Sequence, residues 1–285
     1  TYSLTEGITE KVYNKIIKQI MEKLPILDEW HSKELLKKFD GISWNESIKE
    51  LHEPQNQGNY KDNFYQRLAY DEIFSTFLVN SEIRKKIKRI KKKKKKINLK
   101  KQALIIKNLD FTLTNDQLKS LKEINSDLCA NTKMFRLLQG DVGSGKTIVS
   151  LISAYNTINS GFQVALMAPT EILARQHFNL AKKLLPKNIN IRLISGKSEY
   201  KDKKEILNEL SNHGIDIIFG THAIFQKKVT FKKLGLIIID EQHKFGVNQR
   251  KKLSDKGGND CDVLLMTATP IPRTLTMTIY GDMDL

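Results

Sequence analysis

The sequence predicts an α/β fold, a parallel sheet covered by helices and preceded by a helical arm. Three observations lead there. After about Leu109 short apolar runs alternate with amphipathic stretches, the pattern of parallel strands joined through helices. Two of those runs, Leu236 to Ile239 and Val263 to Met266, are continuously apolar, as strands buried on both faces read. Before about residue 108 the apolar spacing is helical instead.

The arm comes first. Val12, Ile16, Ile17, Ile20 and Leu24 mark one face of a helix that Pro25 closes. Ser43 and Glu46 have the spacing of a capping box, which opens a short helix through Leu51 with Pro54 as its stop. A loop rich in Gln, Asn and Gly, from Gln55 to Asn59, leads to a long helix with Phe64, Leu68, Ile73, Phe77 and Leu78 on one face. That helix runs towards a lysine-rich block that caps it. The strands expected downstream are Phe135 to Gln139, Val164 to Ala168, Ile191 to Ile194, Ile215 to Phe219, Leu236 to Ile239 and Val263 to Met266. The chain thus divides into residues 1–108, a helical linker region with a basic block at 82–101, and residues 109–285, the lobe that carries the parallel sheet.

Composition removes several classes. With 15 Gly and 6 Pro among 285 residues the chain is neither collagen-like nor of low complexity. Its longest apolar stretch is the five residues Val164 to Ala168, far short of the roughly 18 a membrane span requires. Cys129 and Cys261 are distant in sequence and no CxxC or HExxH occurs, which argues against a disulfide framework or a zinc site and for a reducing, cytoplasmic compartment. Thr1 is not Met and no signal peptide follows, so an internal piece of a longer protein is expected.

The net charge of +16 is concentrated. Residues 82–101 hold thirteen basic side chains against the single acid Glu82, a local excess of +12. Such a block can bind nucleic acid through phosphate contacts and counterion release. The alternative is compositional bias on a solvated helix or loop, in a chain rich in Lys, Asn and Ile throughout.

The chemistry lies beyond the strand ends, where ligands bind on such sheets. Gly140, Asp141, Val142, Gly143, Ser144, Gly145, Lys146 and Thr147 satisfy G-x-x-x-x-G-K-[ST] after the first strand. Glycines let the backbone turn and aim its N–H groups inward, and the following helix offers its positive N-terminus to phosphate. Lys146 is expected on the β- and γ-phosphates and Thr147 on Mg²⁺, a hard cation that takes oxygen ligands. The run Leu236 to Ile239 feeds Asp240, Glu241, Gln242 and His243. Asp240 suits the metal's water shell, and Glu241 the attacking water as general base. His243 either satisfies a local hydrogen bond or links the state of ATP to DNA contacts.

Thr170 follows Ala168-Pro169, and Thr221-His222 follows Gly220. Both threonines are good N-caps, and both suit a phosphodiester backbone; the two roles are compatible. Thr267 and Thr269 follow the last strand, where they either sense the γ-phosphate or simply sit in a loop stiffened by Pro270 and Pro272. Upstream, Gln117 can pair with an adenine edge while Phe111 lies against the ring. Gln117 also stands three residues after Thr114, so it equally completes a capping box.

With these residues in hand the sequence resembles the superfamily 2 helicases, and within them the RecG-type branch-migrating DNA helicases. The resemblance rests on GDVGSGKT (140–147), MAPTEILARQH (167–177), GTHAIFQ (220–226), IIIDEQHKFGVNQR (237–250) and TATPIPRTLTMTIYGDMDL (267–285). YSLTEG (2–7), LHEP (51–54) and RLAYDEIF (67–74) extend it over nearly the whole chain. It implies a RecA-like P-loop NTPase lobe with ATP and Mg²⁺ as cofactors, working as a monomer on forks and Holliday junctions in repair and recombination. It also implies a wedge domain and a second lobe, neither of which matches these residues, so the fragment is expected to bind ATP and DNA with little hydrolysis. Two other readings remain, a basic nucleic-acid-binding module without motor activity and a transcription-repair coupling translocase.

Overall fold

The apolar stripe from Val12 to Leu24 forms α1 (Glu10–Glu22), of which only Met21 is buried; Val12, Ile16 and Ile20 stay about half exposed. A short α2 (Lys33–Leu36) starts at Ser32, whose hydroxyl accepts from the Leu35 N–H, and a 3₁₀ turn (Lys37–Phe39) follows. The expected capping box opens α3 (Trp44–His52). The Ser43 hydroxyl accepts from the Glu46 N–H, while the Glu46 carboxylate takes the Ser43 N–H and hydroxyl. Those bonds hold the Glu46 carboxyl below its usual range. The long helix is α4 (Lys61–Arg89).

The computed structural model describes residues 7, 9–52, 61–194, 200–226, 228–241 and 258–268. The expected stop at Pro54 and the loop Gln55 to Asn59 lie outside the described residues. The chain forms two units, Thr1–Val79 and Asn80–Leu285, and the division falls within α4. In the first, the fully buried Arg67 is held by both carboxylate oxygens of Glu29, at 3.1 and 2.9 Å, and by Asp71. His31 reaches the same Asp71 at 2.6 Å. Trp30, Phe39, Tyr70 and Phe74 pack around this ion pair with ring centroids 5.4 to 5.7 Å apart. A buried guanidinium needs this compensation, because an unpaired charge away from water is costly.

The second unit is the sheet. Its helices and strands follow in the order α5 (Leu99–Lys107), α6 (Asn115–Cys129), β1 (Phe135–Gln139), α7 (Lys146–Asn159), β2 (Gln163–Met167), α8 (Glu171–Leu184), β3 (Ile191–Ile194), α9 (Tyr200–Ser211), β4 (Ile217–Gly220), β5 (Leu234–Ile239) and β6 (Asp262–Thr267). The six strands stand in the order β1-β6-β5-β2-β4-β3, all pairs parallel. Successive side chains of a strand point to opposite faces. Val164, Leu166, Leu236, Ile238, Leu264 and Met266 therefore join one core with α6 and α7, while Ala165, Met167, Ile237, Ile239, Val263 and Leu265 join the other. Both faces are covered, as the continuous apolar runs predict. The expected strands are all present with ends displaced by up to two residues. The helix α5, for which the apolar spacing gave no sign, is capped by Asn98.

The lysine run is solvated only in part, which neither of the two sequence readings distinguishes. Residues 90–95 lie along 128–133, joined by Lys92 N to Asn131 O (2.9 Å), Lys95 N to Leu128 O (3.1 Å) and Lys133 N to Ile90 O (3.2 Å). Lys92 and Lys95 turn inward and both place Nζ 2.6 Å from Oδ2 of Asp262, with all three side chains removed from solvent. Lys92 also donates to the Asp127 carbonyl, and the Met134 N–H donates to Asp262. Burial pushes the Lys92 ammonium below the usual lysine range, against the opposing pull of the Asp262 carboxylate. Lys91, Lys93, Lys94 and Lys96 remain exposed. The reason is local: Asp262 opens the buried strand β6, and two ammonium groups compensate its charge.

Removing that carboxylate strands two buried cations, so Asp262→Asn is expected to cost about 3–5 kcal/mol in urea denaturation. Lys94→Gln, on the exposed side of the same run, should stay within about 0.5 kcal/mol of the parent. Similar costs for the two variants would contradict the buried triad.

Candidate nucleotide and metal-carboxylate site

Three adjacent strands deliver the residues. Gln139 pairs with Thr267 across β1 and β6, and Ile239 pairs with Leu265 across β6 and β5. Gly140 and Asp240, the next residues on the two strands flanking β6, are thus two strand spacings apart laterally, about 10 Å at roughly 4.8 Å per strand, with Gly140 two residues further along the strand direction. The Gly140 N–H donates to the Thr267 carbonyl (3.3 Å), so the strand between them also anchors the start of the loop. Thr267 itself is buried.

The loop from Gly140 to Gly145 turns through Ser144 N to Asp141 O (3.1 Å) and hands over to α7 at Lys146. Lys146 folds its ammonium back onto the carbonyls of Gly140 and Asp141, both at 2.7 Å, with the Ser144 hydroxyl at 3.4 Å. Gly145 caps α7 in the left-handed region at φ 81°, which a side chain resists. A Cβ on Gly140, in turn, would meet the Ser144 hydroxyl at 2.7 Å. Val142 is almost fully exposed at the tip, and Thr147 is half-buried in the first turn of α7.

Gln117 does more than the sequence readings distinguish. The capping box is formed: Thr114 Oγ1 accepts from Gln117 N at 3.3 Å, and Gln117 Oε1 accepts from Thr114 N at 2.9 Å. The other end of the same amide donates to the Ser144 carbonyl at 2.8 Å. One side chain thus closes the start of α6 and clamps the phosphate loop. Phe111, in the segment leading to α6, is half-exposed.

Asp240 is 9% exposed at the end of β5. Its Oδ1 accepts from the Glu241 N–H (3.0 Å) and its Oδ2 meets His177 Nε2 at 2.8 Å. Glu241 stands at φ 52°, uncommon for a residue with a side chain; strain of this kind persists where surrounding structure enforces it. Thr170 caps α8, its hydroxyl accepting from Leu173 N at 3.3 Å while its own hydrogen stays available to a further acceptor. Thr221 departs from the expected cap. Only a four-residue 3₁₀ turn (His222–Phe225) follows it, and its hydroxyl makes no capping bond. His222 is exposed at the start of that turn. His243 and Thr269 lie outside the described residues.

Sequence reasoning missed His177. The signal is present in α8, whose buried positions are Ala174, His177 and Ala181, a histidine between two alanines on the inward stripe. It also missed Lys92 and Lys95, because a run of identical residues carries no pattern to mark two of them.

The fold and site together define a helicase-type nucleotide-binding lobe. The profile of the DEAD/DEAH box helicase family matches residues 114–278, and the chain belongs to that family. Among proteins of known function it is 41% identical to the ATP-dependent DNA helicase RecG of Streptococcus pneumoniae serotype 4, over 99% of this chain and 42% of that protein. It is 42% identical to the ATP-dependent DNA helicase RecG of Bacillus subtilis strain 168, again over 99% of this chain and 42% of the relative. A solved structure of RecG bound to a three-way DNA junction aligns with TM-score 0.73 and 38% identity, covering 99% of this chain and 38% of that one. The chain spans about two fifths of the length of these relatives. Its six-stranded parallel sheet is the RecA-like helicase fold. Among the described residues no helix is long and apolar enough to cross a membrane.

The clamp on the loop gives a steric prediction. A methyl at Gly145 would collide with Gln117 Nε2 and push it from the Ser144 carbonyl, and the left-handed backbone adds about 1–2 kcal/mol. Gly145→Ala is therefore expected to lower stability in urea denaturation by more than the backbone cost alone. Part of the loss should return when Gln117→Ala is combined with it; strictly additive costs would contradict the contact.

Proposed function

We propose that this chain is the first motor lobe of an ATP-dependent DNA helicase or translocase of the fork-reversal and Holliday-junction branch-migration type, acting in DNA repair and recombination. One observation carries the nucleotide part: the phosphate loop, Thr267 and Asp240-Glu241 lie at the carboxyl ends of three adjacent strands, β1, β6 and β5. A triphosphate entering the loop exchanges the carbonyl partners of Lys146 for phosphate oxygens, which form stronger, charge-assisted hydrogen bonds. The N–H groups at the start of α7 face the same charge. Gln117 and Phe111 border the adenine end, and an arriving base competes with Ser144 for the Gln117 amide.

The donor set fits Mg²⁺. Thr147 would hold the ion through its hydroxyl and Asp240 through the ion's water shell, both hard oxygen donors of the kind Mg²⁺ takes. Bound there, Mg²⁺ supplies positive charge to the β- and γ-phosphate oxygens. Glu241, next to Asp240 at the same strand end, would take the proton of the attacking water. A second lobe contributes the arginine that stabilises the transition state, worth roughly 10³ to 10⁵ in rate, so these residues alone bind nucleotide and DNA with little hydrolysis.

DNA is proposed along the ends of β2 and β4. Thr170 at the start of α8, Thr221 and His222 offer hydroxyl, imidazole and N–H groups, which suit backbone contacts without base readout. His243 and Thr269 belong to the proposed coupling between nucleotide and DNA. The relatives' names favour DNA, and the three-way junction held in the aligned RecG structure favours branched DNA. The reading as a basic module loses support because Lys92 and Lys95 are committed to Asp262.

Fluorescence titration with an ATP analogue and Mg²⁺ tests the site. Lys146→Ala should weaken binding at least tenfold, whereas Glu241→Gln should keep affinity and, in the full-length protein, slow hydrolysis by about 10² to 10⁴. Undiminished binding by Lys146→Ala would reject the assignment.

A further inference from the structure

We propose that His177 is a positioning residue for the metal carboxylate, holding Asp240 in the orientation from which it meets the metal's water shell. This rests on the reading of Asp240 as the Mg²⁺ group. His177 is 7% exposed and its Nε2 lies 2.8 Å from Asp240 Oδ2. An ionised carboxylate only accepts, so the ring hydrogen of this bond sits on Nε2. The other oxygen, Oδ1, takes the Glu241 N–H at 3.0 Å. One donor on each oxygen fixes the plane of the carboxylate, and of its roughly four lone-pair sites about two remain for water and metal.

The two donors differ in origin. Glu241 follows Asp240 directly and moves with it, whereas His177 reaches over from α8, the helix that leaves the neighbouring strand β2. That helix is seated by the buried Ala174 and Ala181 on either side of His177, and β2 is tied to Asp240 by the bond from Asp240 N to Met167 O (2.9 Å). Among the described residues, His177 is thus the hydrogen-bond partner that joins the Asp240 carboxylate, as distinct from its backbone, to an element outside β5. The same helix begins at Thr170, about 10 Å away along its axis at 1.5 Å per residue. Partners of this kind around metal ligands typically change metal affinity by 10- to 100-fold when removed.

The experiment titrates Mg²⁺ into the 285-residue chain carrying a fluorescent, non-hydrolysable ATP analogue, and compares the parent with His177→Phe, His177→Gln and Asp240→Asn. His177→Phe keeps a ring without the donor, and His177→Gln places an amide nitrogen close to where Nε2 lies. Expected are a Mg²⁺ half-saturation raised about tenfold or more for His177→Phe and Asp240→Asn, a return to within about threefold for His177→Gln, and, for the two histidine variants, unchanged analogue affinity without metal. If only Asp240→Asn shifts, the positioning role is wrong and the metal reading stands. If Asp240→Asn also titrates like the parent, the metal reading itself fails. Loss of metal-free binding in both histidine variants would show a merely structural role and overturn the inference. Where the phenyl ring prevents folding, His177→Met puts the same question.

Discussion

The spacing of one β-strand governs this site. β6 lies between β1 and β5, and its ladder bonds set the lateral spacing of the glycine-rich loop after β1 and the Asp240 carboxylate after β5. Thr267 belongs to that intervening strand and its carbonyl receives the Gly140 N–H. Loop, spacer and carboxylate are therefore parts of one hydrogen-bonded frame. The buried alternation of Val263, Leu264, Leu265 and Met266 between two cores locks the register of β6, since a slip of one residue would send each of these side chains to the wrong face.

The two ends of that frame use charge differently. At the amino end of β6, Asp262 is sealed with Lys92 and Lys95, each group spent on another. At the carboxyl end of β5, Asp240 is held by two donors yet retains accepting capacity. A buried ion cluster with every partner inside the protein is fit for joining segments; a carboxylate only partly satisfied is fit for a ligand. The strap of residues 90–95 fastens the chain entering the sheet unit at the end away from the nucleotide loop.

Much of the fold was legible because its signals are local. The capping boxes at Ser43/Glu46 and Thr114/Gln117 need only residues three apart, and both form. The apolar runs located all six strands, since strands buried on both faces tolerate little polarity. The phosphate loop was legible for a similar reason, because backbone curvature at consecutive positions restricts residue choice. What escaped depends on partners distant in sequence. Nothing near Lys92 announces Asp262, and nothing near His177 announces Asp240. Gln117 could be read as a cap or as an adenine contact, but its second bond, to Ser144, exists only once α6 packs beside the loop. Thr221 looked like a cap by residue type, yet a single 3₁₀ turn does not place a donor on its hydroxyl.

The central claim is that nucleotide and metal are held across β6, between the loop at Gly140–Thr147 and Asp240. The most direct measurement is a crystal structure of the chain with Mn²⁺ and a non-hydrolysable ATP analogue, the metal located by its anomalous signal. The account predicts a peak within direct coordination distance of the Thr147 hydroxyl, with the Asp240 carboxylate one water away and the phosphates within the turn of the loop. Nucleotide seated elsewhere, or a metal with no water-bridged path to Asp240, would contradict it.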